Sequence, residues 1–154
     1  MFKNVLDRID ETCLHLLAYY ISPAWGNGRS VPVGTLRLQQ LPNSTIAKVG
    51  RVAVMKPHRN QGIARRLFSV AENVAKNMGV TQCMLDSQSD KKVVYEKLGY
   101  KVIDLISGHH ELQSGVEALA NVDDIENSGN DGTRRSEFLI DGVWHVKMYK
   151  DILA

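Results

Sequence analysis

The stretch VAVMKPHRNQGIARRLFSVAENVAKNMG joins a β-branched run to a longer run with helical spacing through Arg59, Asn60, Gln61, Gly62, Ile63 and Ala64. Such a turn is suited to trapping an anion. A helix begins with about four amide N–H groups that lack intrahelical partners, and its dipole places roughly half a positive charge at that end. Two phosphates can take up those donors. Gly62 has no Cβ, so the backbone can approach a diphosphate closely, and the small Ala64 keeps the approach open one step further on. Arg59, Arg65 and Arg66 add charge around it. Taken alone, the same residues also fit a plain helix start with surface arginines. The cluster Lys56, His58, Arg59, Arg65 and Arg66 has a further reading, contact with nucleic-acid phosphates. The 19 Lys and Arg against 17 Asp and Glu, a formal charge of +2, argue against that partner.

The elements that must hold this turn follow from periodicity. Leu14 to Ile21 and Val31 to Leu41 read as strands joined by a loop with Gly26 and Gly28, and Lys48 to Met55 reads as a third strand, bounded by Pro57. From Ile63 to Met78 the apolar residues Ile63, Leu67, Val70, Ala71, Val74, Ala75 and Met78 recur three or four apart, which predicts a helix stopped by Gly79. Val80 to Leu85 is a short strand. A second helix over Lys91 to Leu98 has Ser89 or Asp90 as its cap and Gly99 as its stop, and Tyr100 to Leu105 is the next strand. Residues 107–135 hold six acidic residues and few large apolar ones, and are expected to form a mobile insertion. Phe138 to Tyr149 resumes strand character, with Asp141-Gly142 as a tight turn. The order predicts one α+β domain over 1–154, a mixed sheet with helices packed on it.

The R-x-x-G-x-A element from Arg59 to Ala64 resembles the acyl-CoA pyrophosphate loop of the GNAT superfamily of N-acetyltransferases, and it lies in that family's place between a strand and a long helix. VVYEKLGYKV (Val93 to Val102) looks like the second family signature, a helix bearing a Tyr followed by a K-L-G-Y turn, and the tail DGVWHVKM resembles the closing strand of a branch with unassigned substrates. The resemblance implies a mostly antiparallel twisted sheet with a central splay and helices on both faces. It implies acetyl-CoA as cosubstrate and a primary amine, small molecule or protein, as acceptor. By the same resemblance, Val52, Ala53 and Val54 match the strand whose backbone pairs with the pantetheine arm, with an N–H, that of Val54, steadying the carbonyl oxygen. Tyr95 corresponds to the general acid that protonates the departing thiolate. Many relatives use a carboxylate before the loop as base, and RVAVM offers none. His145 and Asp86 are the available candidates, of which the histidine titrates in the useful range. Tyr95 as a packing tyrosine and His145 as a structural histidine are the bland readings.

A GNAT domain normally opens with a strand and one or two helices, whereas about thirteen residues precede Leu14 here. The expectation is a bare edge at Leu14 to Ile21, open to pairing with a second copy, and acetyl-CoA binding better kept than turnover. That also leaves a non-catalytic acyl-CoA-binding module as the rival reading. Cys13 and Cys83 are isolated, and His109 and His110 have no ligand partners at metal spacing, so neither a disulfide framework nor a metal site is expected. No stretch approaches the roughly 20 apolar residues of a membrane span. The expectation is a soluble cytoplasmic protein.

Overall fold

A computed structural model describes residues 9–22, 29–103 and 136–153. Gly26, Gly28, the 107–135 segment with His109 and His110, and Asp104 and Leu105 of the expected strand lie outside the described residues. The chain divides into two compact units, Met1–Val80 and Thr81–Ala154. Its class is α+β, with seven strands and two α-helices among the described residues.

In the first unit, a short 3-10 turn over Asp10–Thr12 precedes β1 (Leu14–Ile21), β2 (Ser30–Gln40) and β3 (Ile46–Val54), which pair antiparallel in sequence order. Along β2, Gly34, Leu36 and Leu38 alternate with Thr35 and Arg37, so the first set shares one face. Helix α1 (Ile63–Asn77) packs on that face, since a Cβ on Gly34 would lie 3.1 Å from Ile63 and 3.2 Å from Leu67. The buried stripe of α1 is Leu67, Phe68, Ala71 and Ala75. It is rotated from the expected stripe: Phe68 is buried, while Val70 is 52% exposed. Gly79 stops the helix in the left-handed region, φ +79°, with its N–H donating to Lys76 O and that of Val80 to Ala75 O, both at 3.0 Å. This double closure satisfies carbonyls the helix would leave open, and it takes Val80 out of the following strand. β1 forms the edge, with Leu14, Leu17, Tyr19, Tyr20 and Ile21 exposed. Arg37 ties the turn to the sheet by a bond of 2.7 Å to Asp10 Oδ1.

In the second unit, β7 (Val143–Asp151) is the central strand. β4 (Gln82–Gln88) runs antiparallel to it through seven paired positions, and β5 (Lys101–Val102) and β6 (Glu137–Ile140) also pair with it. Asp141 and Gly142 join β6 to β7 with φ of +49° and +76°, the left-handed pair that suits a two-residue hairpin. β4 begins and ends later than the run Val80 to Leu85 suggested. Helix α2 (Lys92–Glu96) is shorter than expected and follows a 3-10 turn over Ser89–Lys91. Neither Ser89 nor Asp90 caps it: no side-chain cap bond is formed, and the Asp90 carboxylate instead holds Lys91 Nζ at 2.7 Å. Among the described residues no helix is long and apolar enough to cross a membrane.

Candidate functional site

The end of β3 shows how the loop is aimed. Thr35 faces Ala53 while Arg37 faces Gly50, so β3 carries one residue more than β2 over this span. The extra residue forms a β-bulge, and Arg51 takes the left-handed conformation there, φ +52°. A non-glycine residue in that region costs about 1–2 kcal/mol. Past the bulge, the Met55 N–H donates to Val33 O at 2.8 Å. Alternation along an antiparallel pair then turns the polar groups of Ala53 toward β2 and those of Val54 toward the opposite edge. The Val54 carbonyl on that edge accepts a bond of 2.9 Å from Arg59 Nε. Of the expected strand residues, then, Val54 directs its N–H away from β2 and Ala53 spends its backbone on the pairing with β2.

The chain next makes a 3-10 turn over Lys56–His58 and enters α1 through two left-handed residues, Asn60 at φ +61° and Gly62 at φ +77°. The Gln61 amide reaches Pro57 O at 3.4 Å and spans the turn. Gly62 is the N-cap residue of α1, its carbonyl accepting from the Arg66 N–H at 3.1 Å. No side chain caps the helix and its first turn holds no acid. The amides of Ile63, Ala64 and Arg65 thus start the helix without a protein carboxylate or hydroxyl upon them, while Arg59, Arg65 and Arg66 are exposed around them. Among the described residues, a Cβ at Gly62 would meet nothing within 4 Å. The ring of His58 lies 5.0 Å from that of Tyr20.

Two contributors to this geometry were not singled out in the sequence. The Arg51 bulge is announced only by its neighbour Gly50, an isolated glycine inside a strand pattern. Gly34 also carries a signal, since an isolated glycine inside a strand pattern marks close approach of another element. Gly34→Val is expected to push Ile63 and Leu67 outward, costing about 1–3 kcal/mol of stability and tilting the helix start. Thermal denaturation reads the first effect and anion titration the second; a variant as stable as the parent, with unchanged anion affinity, overturns the assignment.

In the second unit, Tyr95 is half-buried on α2. Its carbonyl accepts from Leu98 at 2.9 Å and from Tyr100 at 3.0 Å, and the Gly99 N–H donates to Glu96 O at 2.9 Å with Gly99 at φ +90°. The K-L-G-Y turn is therefore a glycine helix stop folded back on Tyr95 itself, anchored by the buried ring of Tyr100. Burial pushes the Tyr95 phenol above its ordinary value of 10.0, against the opposing charge of Lys91. His145 stands on β7, its Nδ1 2.8 Å from Val143 O. A carbonyl only accepts, so Nδ1 carries the proton and Nε2 bears the lone pair. Asp86, the other base candidate, lies 3.4 Å from Lys147 Nζ. Lys150 stands 5.7 Å from the centroid of Tyr100's ring, and alternation along β7 puts His145 on the face opposite Lys150. Among the described residues no group of three or more His, Cys, Asp or Glu could hold a metal ion.

Residues 15–102, which include the loop, α1 and Tyr95, match the family model for the acetyltransferase (GNAT) domain. The chain belongs to the GNAT family. His145 falls beyond the matched span. The uncharacterized protein YyaT of Bacillus subtilis (strain 168) is 27% identical over 95% of this chain and 71% of its own length. A Lactobacillus plantarum protein provisionally assigned as an N-acetyltransferase has a similar fold, with a TM-score of 0.63 and 23% identity over 96% of this chain and 75% of that one. A Bacillus subtilis acetyltransferase in complex with CoA superposes with a TM-score of 0.61 and 16% identity over 98% of this chain and 84% of that one. The arrangement of strands, loop and helices is thus that of GNAT acetyltransferases.

Proposed function

We propose that this GNAT chain transfers an acetyl group from acetyl-CoA to a primary amine. The observation that carries the reading is the start of α1, where a left-handed Gly62 and a first turn without acid or side-chain cap leave a surface suited to a diphosphate. The fit is chemical as well as spatial: the flanking side chains are arginines, and among the described residues nothing lies within 4 Å of where a Cβ on Gly62 would stand. A structural relative in complex with CoA supports the same reading.

Acetyl-CoA supplies an activated thioester whose thiolate leaves readily. In this reading the loop from Arg59 to Arg65 binds its diphosphate, the edge of β3 at Val52 to Val54 guides the arm, and the Val54 N–H steadies the carbonyl oxygen as it gains charge. His145 Nε2 takes a proton from the acceptor ammonium, freeing the nitrogen pair. A C–N bond then forms at the thioester carbon and the C–S bond breaks. Tyr95 gives its phenol proton to the sulfur, and the second nitrogen proton is lost as the amide forms. From ammonium and thioester, the products are amide, thiol and one proton released to solvent.

Two measurements test the reading. Calorimetry with CoA should show binding that a nucleic-acid ligand does not, and a thiol-release screen across amine pools should find an acceptor. The absence of a carboxylate from Arg51 to Val54 favours a second reading, a non-catalytic acyl-CoA-binding module, which predicts binding with no thiol release from any amine. For His145→Gln, kcat is expected to fall about 10²-fold and the acidic limb of its pH profile to flatten, with CoA affinity unchanged. A variant with parental kcat removes His145 from the chemistry.

A further inference from the structure

The face of the second unit that carries His145 also carries a charge pair that the transfer chemistry does not use. Asp86 pairs with Lys147 and Gln88 with His145 across β4 and β7, so all four side chains share one face, on rungs separated by the Ser87–Val146 pair. Two residues of strand separate Lys147 from His145 by about 7 Å. Lys147 is only 7% exposed. Its Nζ lies 3.4 Å from Asp86 Oδ1 and 4.8 Å from the centroid of Phe138, whose buried ring is also 6.1 Å from that of His145. The other titratable groups on this face are further along the strands: Tyr149 opposite Met84, Lys101 opposite Tyr149, and Asp151, which accepts a bond of 2.9 Å from Gln82. Lys147 and Asp86 are therefore the charges nearest His145 along this face.

A buried ion pair is a weak source of stability, because desolvation offsets most of the attraction and an apolar pair of equal size would serve as well. Its place beside the imidazole suggests another use. We propose that Lys147 and Asp86 are positioning residues whose opposed charges set the protonation state of the acceptor amine at His145. The proposal rests on His145 as the proton acceptor. An aliphatic amine is almost wholly ammonium near neutral pH, and only its neutral form attacks a thioester. The Lys147 charge disfavours both the ammonium and the imidazolium that takes its proton; the Asp86 charge favours both. The balance between them fixes the pH at which the bound amine becomes a nucleophile.

The test is the acidic limb of kcat, which reports groups in the substrate complex. Lys147→Gln removes the positive charge beside Asp86 and is expected to move the limb up by about one pH unit. Asp86→Asn, which keeps a side-chain oxygen for Nζ, removes the negative charge beside Lys147 and is expected to move it down by a similar amount. The double variant should return near the parent, and Lys147→Arg should stay there. A purely structural pair changes the melting temperature and moves no limb. Limbs that stay in place, or move in the same direction in both singles, overturn the proposal; if only one single folds, its shift alone decides, and the isosteric Asp86→Asn is the one expected to fold. Failure of the underlying reading looks different. If His145→Gln keeps its turnover, both ideas fall together, whereas a dead His145→Gln beside an unmoved Asp86→Asn limb removes the charge pair alone.

Discussion

Gly62→Asp should lose CoA affinity by more than 100-fold, about 2.7 kcal/mol, while the protein stays folded and melts no lower than the parent. The two halves of this result have separate causes. A Cβ at position 62 meets nothing within 4 Å, so no clash with the protein is created. The backbone there is left-handed, φ +77°, a conformation that aspartate tolerates better than most residues. Aspartate at an N-cap also bonds the amides of the first turn and suits the helix dipole, which offsets the conformational cost. The carboxylate then occupies the donors that a diphosphate would need, and adds a repelling charge in front of them. Gly62→Ala separates the effects: it should cost about 1 kcal/mol of stability and far less affinity. Calorimetry with CoA and thermal denaturation of both variants read the outcome. An aspartate variant with parental CoA affinity would remove the anion site from the loop.

The parts of this architecture that follow from local chemistry were legible in the residues. β1 runs over Leu14–Ile21 as expected, and α1 starts at Ile63 and ends one residue before the expected Met78. A run of β-branched and aromatic residues, and a three-to-four spacing closed by Gly79, are signals carried by the segment itself. Asp141-Gly142 is the same kind of case, because two successive left-handed residues in a hairpin demand that chemistry. What stayed hidden depends on partners. The Arg51 bulge is set by how β3 must register against β2; Gly50 beside it marks an irregularity, but not which residue turns left-handed. β4 starts at Gln82 because the backbone N–H of Val80 is already used to close α1. Apolar character alone made Val80 look like strand. The buried stripe of α1 includes Phe68 and omits Val70 because the β2 surface, with Gly34 as its hollow, decides which side of the helix is covered.

The site divides along the same line. The proposed anion loop could be singled out because the proposal rests on backbone amides and a missing side chain, both of which are set by six consecutive residues. The reason for the K-L-G-Y turn was not readable, although the motif was. Only the bonds to the Tyr95 carbonyl show that the turn holds the tyrosine's own helix end. The base was hardest. Its candidates, Asp86 and His145, are distant in sequence, and only strand pairing reveals that Asp86 is occupied by Lys147 while His145 presents Nε2.

Tyr95→Phe should lower kcat by about 10²- to 10³-fold with no change in CoA affinity. The ring is half-buried and its helix is fixed by backbone bonds that the substitution leaves alone, so the hydroxyl is the one thing removed. The phenol is held above its ordinary 10.0 because burial disfavours phenolate, and the Lys91 charge only partly opposes this. The sign matters for the profile. A group whose burial resists ionisation keeps its proton to higher pH, so the parent's activity should persist past pH 10 before a basic limb sets in. The phenylalanine variant should lack that limb and run low and flat. Acyl donors with a more activated thioester should narrow the gap between parent and variant, because a better leaving thiolate needs less help from an acid. An equal loss of CoA affinity and turnover would instead make Tyr95 a packing residue, and a parental basic limb in the variant would assign that ionisation to another group.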